Sequence, residues 1–308
     1  MQNARFSTAF VTVSAMLWAL DAPFRKFLST GFPSLTIVLM EHLLIAICVL
    51  PLFLPRLAEL KQLSWKDWLC IAFVGFGGSA SATVLFTQSF HYLNPSVAIL
   101  LQKLQPLVAI ALASLLLREN LSRQFLGWAA VAIGGAYLVS FPGLVPKGVT
   151  LGPDLFGVML ALGAAIFWGG STVLGRFALN HVSFQMMTSL RFLSGLAFLI
   201  VANGAAGTIT DVTRATPHDW LFVFIIAILA GFVSLLLYYY GLRSTKASVA
   251  TLCEMAFPLT AVVVNWIFLG ASLSAVQVLG GTMLMLAIVK LGLEGDEDVE
   301  DELIAVRG

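Results

Sequence analysis

Along the chain, runs of about twenty apolar residues alternate with short joints that carry charge, glycine or proline. The joints divide it into ten stretches, roughly residues 7–27, 34–54, 67–90, 96–117, 124–141, 155–175, 184–203, 219–240, 248–269 and 275–292. Each is of the length needed to cross a bilayer core about 30 Å thick as a helix, and none shows the dyad alternation of a barrel strand. Only helices or closed barrels satisfy every backbone group in hydrocarbon. The pattern therefore predicts an all-α integral membrane protein with ten transmembrane helices. The joints leave no room for a soluble domain. The first run continues past Trp18 to Asp21 and Arg25 without a small-residue cleavage site, so it is expected to stay as helix one.

Composition agrees with that solvent: 59% of the 308 residues are hydrophobic and only 11% charged, with a mean hydropathy of +0.94. Water-soluble domains run near a quarter charged. Cys48, Cys70 and Cys253 lie in separate apolar runs without metal-ligand spacing, which predicts buried thiols, no metal and no cofactor. Orientation follows from Lys and Arg. With the N-terminus inside, Arg5, Arg56, Lys61, Lys66, Arg118, Arg123, Arg176, Arg243, Lys246, Lys290 and Arg307 are cytoplasmic, while Arg25, Lys26, Lys147 and Arg214 are outside. Both termini are thus expected in the cytoplasm, and residues 294–308, with "EGDEDVEDE", read as an acidic solvated tail.

The apolar pattern also repeats. "DWLCIAFVGF" from Asp67 recurs as "DWLFVFIIAI" from Asp219, and "SVAILLQKLQPLVA" from Ser96 aligns without gaps on "SVATLCEMAFPLTA" from Ser248. At a slightly smaller offset Trp18 matches Trp168, Lys26-Phe27 matches Arg176-Phe177, and Glu41 matches Arg191. Five helices per half is odd, so residues 1–145 and 146–293 are expected to enter the membrane from opposite sides, as in the inverted repeats of secondary transporters. Exchanging the conformations of two such halves converts an outward-open cavity into an inward-open one.

With "LQPLVAIALASLLLREN" and "AFPLTAVVVNWIFLGASLS" closing the fourth and ninth helices, residues 7 to 292 resemble the EamA-type proteins of the drug/metabolite transporter superfamily. Within it, "MLWALDAPFRK" and "FTQSFHYLNPSVAILLQKLQPL" look most similar to the YddG-type aromatic amino acid exporters of bacterial inner membranes. The resemblance implies a cavity lined by helices 1, 3, 4, 6, 8 and 9.

Helical spacing selects similar faces. Ser14, Trp18, Asp21 and Arg25 share a stripe of helix one, and Ala164, Trp168, Ser171, Thr172 and Gly175 form its counterpart on helix six. Helix three offers Ser79, Thr83 and Phe86, and helix eight Ser234, Tyr238 and Tyr239. Their hydroxyls can bond a neighbouring helix or a ligand. Pro106 and Pro258 occupy equivalent places, and each is expected to loosen its helix one turn back, beside Gln102 and Gln105 in one half and Glu254 and Phe257 in the other. The candidate substrate site is therefore Trp18, Asp21, Ser79, Thr83, Phe86, Gln102, Gln105, Trp168, Thr172, Tyr238, Glu254 and Phe257.

Four charges lie deep. At 1.5 Å per residue, Glu41 and Lys103 fall about 12 Å from the outer face, and Arg191 and Glu254 about 12 Å from the inner face. An unpaired charge there costs about 3 kcal/mol or more, which predicts two ion pairs, Glu41 with Lys103 and Arg191 with Glu254. An acid committed to a fixed cation carries protons poorly. The expected mechanism is export of aromatic or neutral amino acids by alternating access without proton coupling, with export of lipophilic cations as the alternative. No HExxH, paired-Asp or Ser-Lys arrangement supports an enzyme. The expected partners are a small-molecule substrate and the lipid of a bacterial inner membrane, without nucleic acid, and a monomer suffices.

Overall fold

A computed structural model of the chain describes residues 6–20, 24, 27–28, 31–89, 92, 101–102, 104–119, 121–140, 154–257, 259–260, 263, 274–287 and 290. Among them there is helix and no strand. The helices are α1 (Ser7–Trp18), α2 (Ser34–Phe53, continued by the 3-10 turn Leu54–Gln62), α3 (Trp65–Phe73, π-helical Val74–Ser81, then Ala82–Ser89), α4 (Gln105–Leu116) and α5 (Arg123–Ser140). They are followed by α6 (Asp154–Ala178), α7 (Phe184–Ala206), α8 (Pro217–Ile225, π-helical Ile226–Val233, then Ser234–Leu242), α9 (Ala247–Cys253) and α10 (Ala275–Ala287). Among the described residues five stretches are long and apolar enough to cross a membrane: Ser34–Gln62, Trp65–Phe86, Leu155–Ala178, Phe184–Ala206 and Pro217–Leu242. Ser7–Trp18, Gln105–Leu116 and Ala275–Ala287 are shorter apolar helices.

The halves interleave. α2 packs on α7, α4 on α9, α1 on the second part of α8, and α3 on α6. Exchanging the halves maps α1–α8 onto α6–α3 and returns α2–α7 and α4–α9 to themselves, the signature of a pseudo-twofold. The main apolar core runs through Val11 and Ala15 of α1, Ile45 of α2, Ile71 of α3, Met187 of α7 and Tyr239 of α8, all at most 1% exposed. Glycines set how closely α3 approaches the second half: a Cβ on Gly75 would lie 2.8 Å from Ser194 Cβ, and one on Gly78 would lie 2.6 Å from Ser171 Cβ.

The sequence repeat reappears as local structure. Ser64 and Asp67 form a capping box at the start of α3, and Thr216 and Asp219 form one at the start of α8, so in each case a side chain and an amide satisfy one another at the helix end. The boxes differ in their surroundings. Asp67 is buried, with His181 Nδ1 2.8 Å from its Oδ1. Asp219 is only half-buried, and its hydrogen bonds go to Thr216. Removing a cap costs about 1 kcal/mol. Asp67→Ala is therefore expected to lower the thermal unfolding midpoint of detergent-purified protein more than Asp219→Ala does, because it also deprives His181 of its partner.

Candidate functional site

Four helices deliver one polar side chain each to a single point. Gln105, at the start of α4, donates from Nε2 to Glu254 Oε2 at 2.7 Å. Thr172 of α6 and Tyr238 of α8 reach Glu254 Oε1 at 3.1 and 2.8 Å. Glu254 itself follows the last residue of α9. All four are at most 7% exposed. Burying a carboxylate is costly unless its lone pairs are taken, and here both oxygens accept. The Tyr238 and Thr172 hydroxyls also lie 3.0 Å apart, so each has a second place to send its proton.

A second cluster begins one residue along α8. Arg191 of α7 donates from Nη1 to the Tyr239 hydroxyl at 3.1 Å, from Nε to Ser79 Oγ at 3.3 Å, and from Nη2 to the Gly78 carbonyl at 3.3 Å. Ser79 Oγ lies 3.3 Å from His42 Nε2, while His42 Nδ1 lies 2.9 Å from the Val38 carbonyl. A carbonyl can only accept, so the network assigns the proton to Nδ1 and leaves Nε2 to accept from Ser79. The Gly78 carbonyl also takes the indole N–H of Trp168 at 3.1 Å. Gly78 lies in the π-helical part of α3, where wider winding disturbs the α-helical ladder and turns carbonyls toward other partners.

Aromatic rings flank both clusters. Trp18 stacks at a tilt on Tyr238 with ring centroids 5.4 Å apart, and Phe86 meets Trp168 edge to face, also at 5.4 Å. Tyr238 and Tyr239 connect the two, with centroids 5.3 Å apart. Their shared backbone makes them the bridge between Glu254 and Arg191.

These contacts bring together Trp18, Ser79, Phe86, Gln105, Trp168, Thr172, Tyr238 and Glu254 of the twelve sequence-derived candidates. Thr83 donates to the Ser79 carbonyl within its own helix at 3.1 Å. Phe257 packs against the main core, and Gln102 has a buried Oε1 without a hydrogen-bond partner. Asp21, Lys103 and Pro258 lie outside the described residues, so the Glu41–Lys103 pair does too. The direct ion pair of Arg191 with Glu254 does not form: each charge is bound to a different tyrosine, because consecutive residues of α8 point about 100° apart. Tyr239, named among the hydroxyls that helix eight offers but not among the twelve, and Gly78, not singled out at all, complete the network. Paired tyrosines in an apolar run were the available sign of the first, and the glycine-rich "VGFGGS" of the second.

Both expected helix interruptions have local counterparts. Pro106 occupies the first turn of α4, where its missing N–H is harmless, and the Leu104 amide bonds Leu101 three residues back. In the other half the amides of Met255 and Phe257 bond Leu252 and Glu254, again three residues back. Glu254 thus sits at a tightened turn and not within a continuous helix.

A groove of about 620 Å³ lies elsewhere, between α5 and α10, lined by Ala130, Ile133, Gly134, Tyr137, Leu138 and Met283. It shares no residue with the clusters. Among the described residues no group of three or more His, Cys, Asp or Glu could hold a metal.

The EamA-like transporter family matches residues 6–141 and again 155–293. The chain belongs to that family. Riboflavin transporter ImpX of Fusobacterium nucleatum is 34% identical over 299 residues, spanning 94% of this chain and 99% of that protein. Protein PecM of Dickeya dadantii is 27% identical over 237 residues, or 74% and 75% of the two chains. A solved crystal structure superposes with a TM-score of 0.76 over 94% of this chain and 98% of its own, at 16% identity, and shares the fold. As an EamA-like transporter the chain is a multi-pass membrane protein that handles a small molecule in lipid, and it is not an enzyme.

Proposed function

We propose that this transporter carries a planar heteroaromatic molecule, with riboflavin as the leading substrate, across a bacterial inner membrane. In this reading ten helices form two inverted halves, residues 1–145 and 146–293, with both termini cytoplasmic. Substrate moves down its gradient by alternating access, without proton coupling. The observation that carries the site is the convergence of Gln105, Thr172, Tyr238 and Glu254 from four helices beside Trp18. A flavin presents flat rings for the aromatic side chains, an imide N–H and hydroxyls for a carboxylate, and carbonyls for amide and hydroxyl donors. The substrate assignment draws on the 34% identity with a protein named for riboflavin transport.

One observation favours a second reading, export of aromatic amino acids. A carboxylate and a guanidinium held apart by two tyrosines could receive an ammonium and a carboxylate separately. Purified protein in liposomes separates the two. The expected result is saturable riboflavin flux, suppressed by other flavins, indifferent to phenylalanine and tryptophan, and unchanged by a pH gradient. Counterflow of phenylalanine or tryptophan without riboflavin flux would establish the second reading instead, and flux that needs the pH gradient would remove the uncoupled mechanism.

A further inference from the structure

Three carboxylates of the first half reach across to the second at one end of the bundle. Glu59, in the 3-10 turn after α2, accepts from the Ser183 amide at 2.7 Å and from its hydroxyl at 2.9 Å, at the residue that caps α7. Asp67 contacts His181 in the same joint. Glu119, just past α4, accepts from the amides of Ala247 and Ser248 at 2.7 and 3.1 Å and from the Ser248 hydroxyl at 2.5 Å. These are the first residues of α9, where unpaired amides and the helix dipole favour a negative charge. Arg176, near the end of α6, adds a donation to the Thr245 carbonyl at 3.1 Å. The joint after α2, the joint after α4, and the approaches to α7 and α9 are thereby tied together.

Among the described residues the opposite end shows no equivalent of the Glu59–Ser183 and Asp67–His181 contacts, and the repeat shows why. Asp211 stands 152 positions after Glu59 and pairs with Arg214 in its own turn, at 3.1 Å. At the 150-residue offset that relates α2 to α7, the place of Ser183 is taken by Pro33, which has neither an amide hydrogen nor a hydroxyl, and that of His181 by Gly31. Asp219, the counterpart of Asp67, bonds only Thr216 among the described residues.

We propose that Glu59, Asp67 and Glu119 form a clamp that holds the cytoplasmic mouth shut, and that releasing it is the step that opens the transporter inward. The side is named from the orientation under Proposed function; the clamp itself rests on the contacts. All three contacts are made in this structure, so this mouth is the one that is shut.

The test uses the protein's own reporter. Cys253 ends α9, six residues beyond the amide that Glu119 holds at 2.7 Å, and is 0% exposed. In inside-out vesicles carrying Cys48→Ser and Cys70→Ser, the rate of Cys253 labelling by a membrane-impermeant maleimide is followed. Glu59→Ala with Glu119→Ala is expected to raise that rate at least tenfold, and Asp211→Ala to leave it unchanged. A parental rate in the double variant, or an equal rise with Asp211→Ala, overturns the clamp. Should the double variant not be recovered as folded protein, Ser183→Ala and Ser248→Ala each remove one clamp hydroxyl and are expected to raise labelling about threefold, an unchanged rate again overturning it. Acceleration seen only from the other face of the membrane would support the clamp while removing the assigned orientation.

Discussion

Glu254→Gln is expected to lower substrate flux at least tenfold while leaving the yield of folded protein near that of the parent. The reasoning is one of donors and acceptors. Glu254 Oε1 meets the hydroxyls of Thr172 and Tyr238, and Oε2 meets the amide of Gln105. A glutamine can keep its carbonyl toward Gln105 and turn its NH2 toward the hydroxyls. Those can turn in response, since Thr172 Oγ1 already lies 3.3 Å from the Trp168 carbonyl. The fold tolerates the change, but the point where four helices meet no longer offers two acceptor oxygens. Glu254→Ala is a different experiment. It strands the Gln105 amide in a buried site, and an orphaned buried donor costs about 1–3 kcal/mol. Yield should fall, and Glu254→Leu with Gln105→Leu should recover much of it without restoring flux, because removing both polar groups also removes the desolvation cost. Fluorescence-detected size exclusion measures the yield and a liposome assay the flux. Full flux in Glu254→Gln would exclude the carboxylate from substrate handling.

The second large effect is steric. Gly78→Ala is expected to reduce folded protein severely, and Gly78→Ala with Ser171→Gly to restore most of it. A Cβ at Gly78 would stand 2.6 Å from Ser171 Cβ, far inside a non-bonded carbon contact, so α3 and α6 would have to separate. Overpacking of this kind costs about 1–3 kcal/mol. The same displacement would draw the Gly78 carbonyl from Trp168 and Arg191, which both donate to it. Gly127→Ala supplies the control, since a Cβ there meets nothing within 4 Å. Thermal unfolding of the three variants in detergent should rank Gly127→Ala near the parent, the double variant next and Gly78→Ala last. Equal midpoints for Gly78→Ala and Gly127→Ala would mean that the α3–α6 seam is softer than its geometry indicates.

The helical character was legible in the sequence for physical reasons, and Gln105, Thr172, Tyr238 and Glu254 stood out there as candidates, though not as one another's partners. An apolar run reports its solvent directly, and an inverted repeat restricts which helices can face one another. Azimuth was not legible. Arg191 and Glu254 bind different members of a pair of consecutive tyrosines, an outcome fixed by how α7, α8 and α9 are rotated. Glu59 and Glu119 were invisible as linkers for a related reason: a surface carboxylate in a joint reads as solvated until the helix end it faces is known. Pro106 announced an interruption, but its place within the first turn of α4 depends on where the chain before it turns.

The π-helical stretches occupy Val74–Ser81 and Ile226–Val233, each boundary displaced by the same 152 positions. Such a turn arises when one residue is added to an α-helix, and it is kept only where it serves the protein. Two independent additions at one register would be a coincidence. The shared register therefore ties the wider winding to the sequence repeat itself. Both stretches keep that winding although "VGFGGSAS" and "IAILAGFV" have almost nothing else in common, so it follows position in the repeat and not local composition.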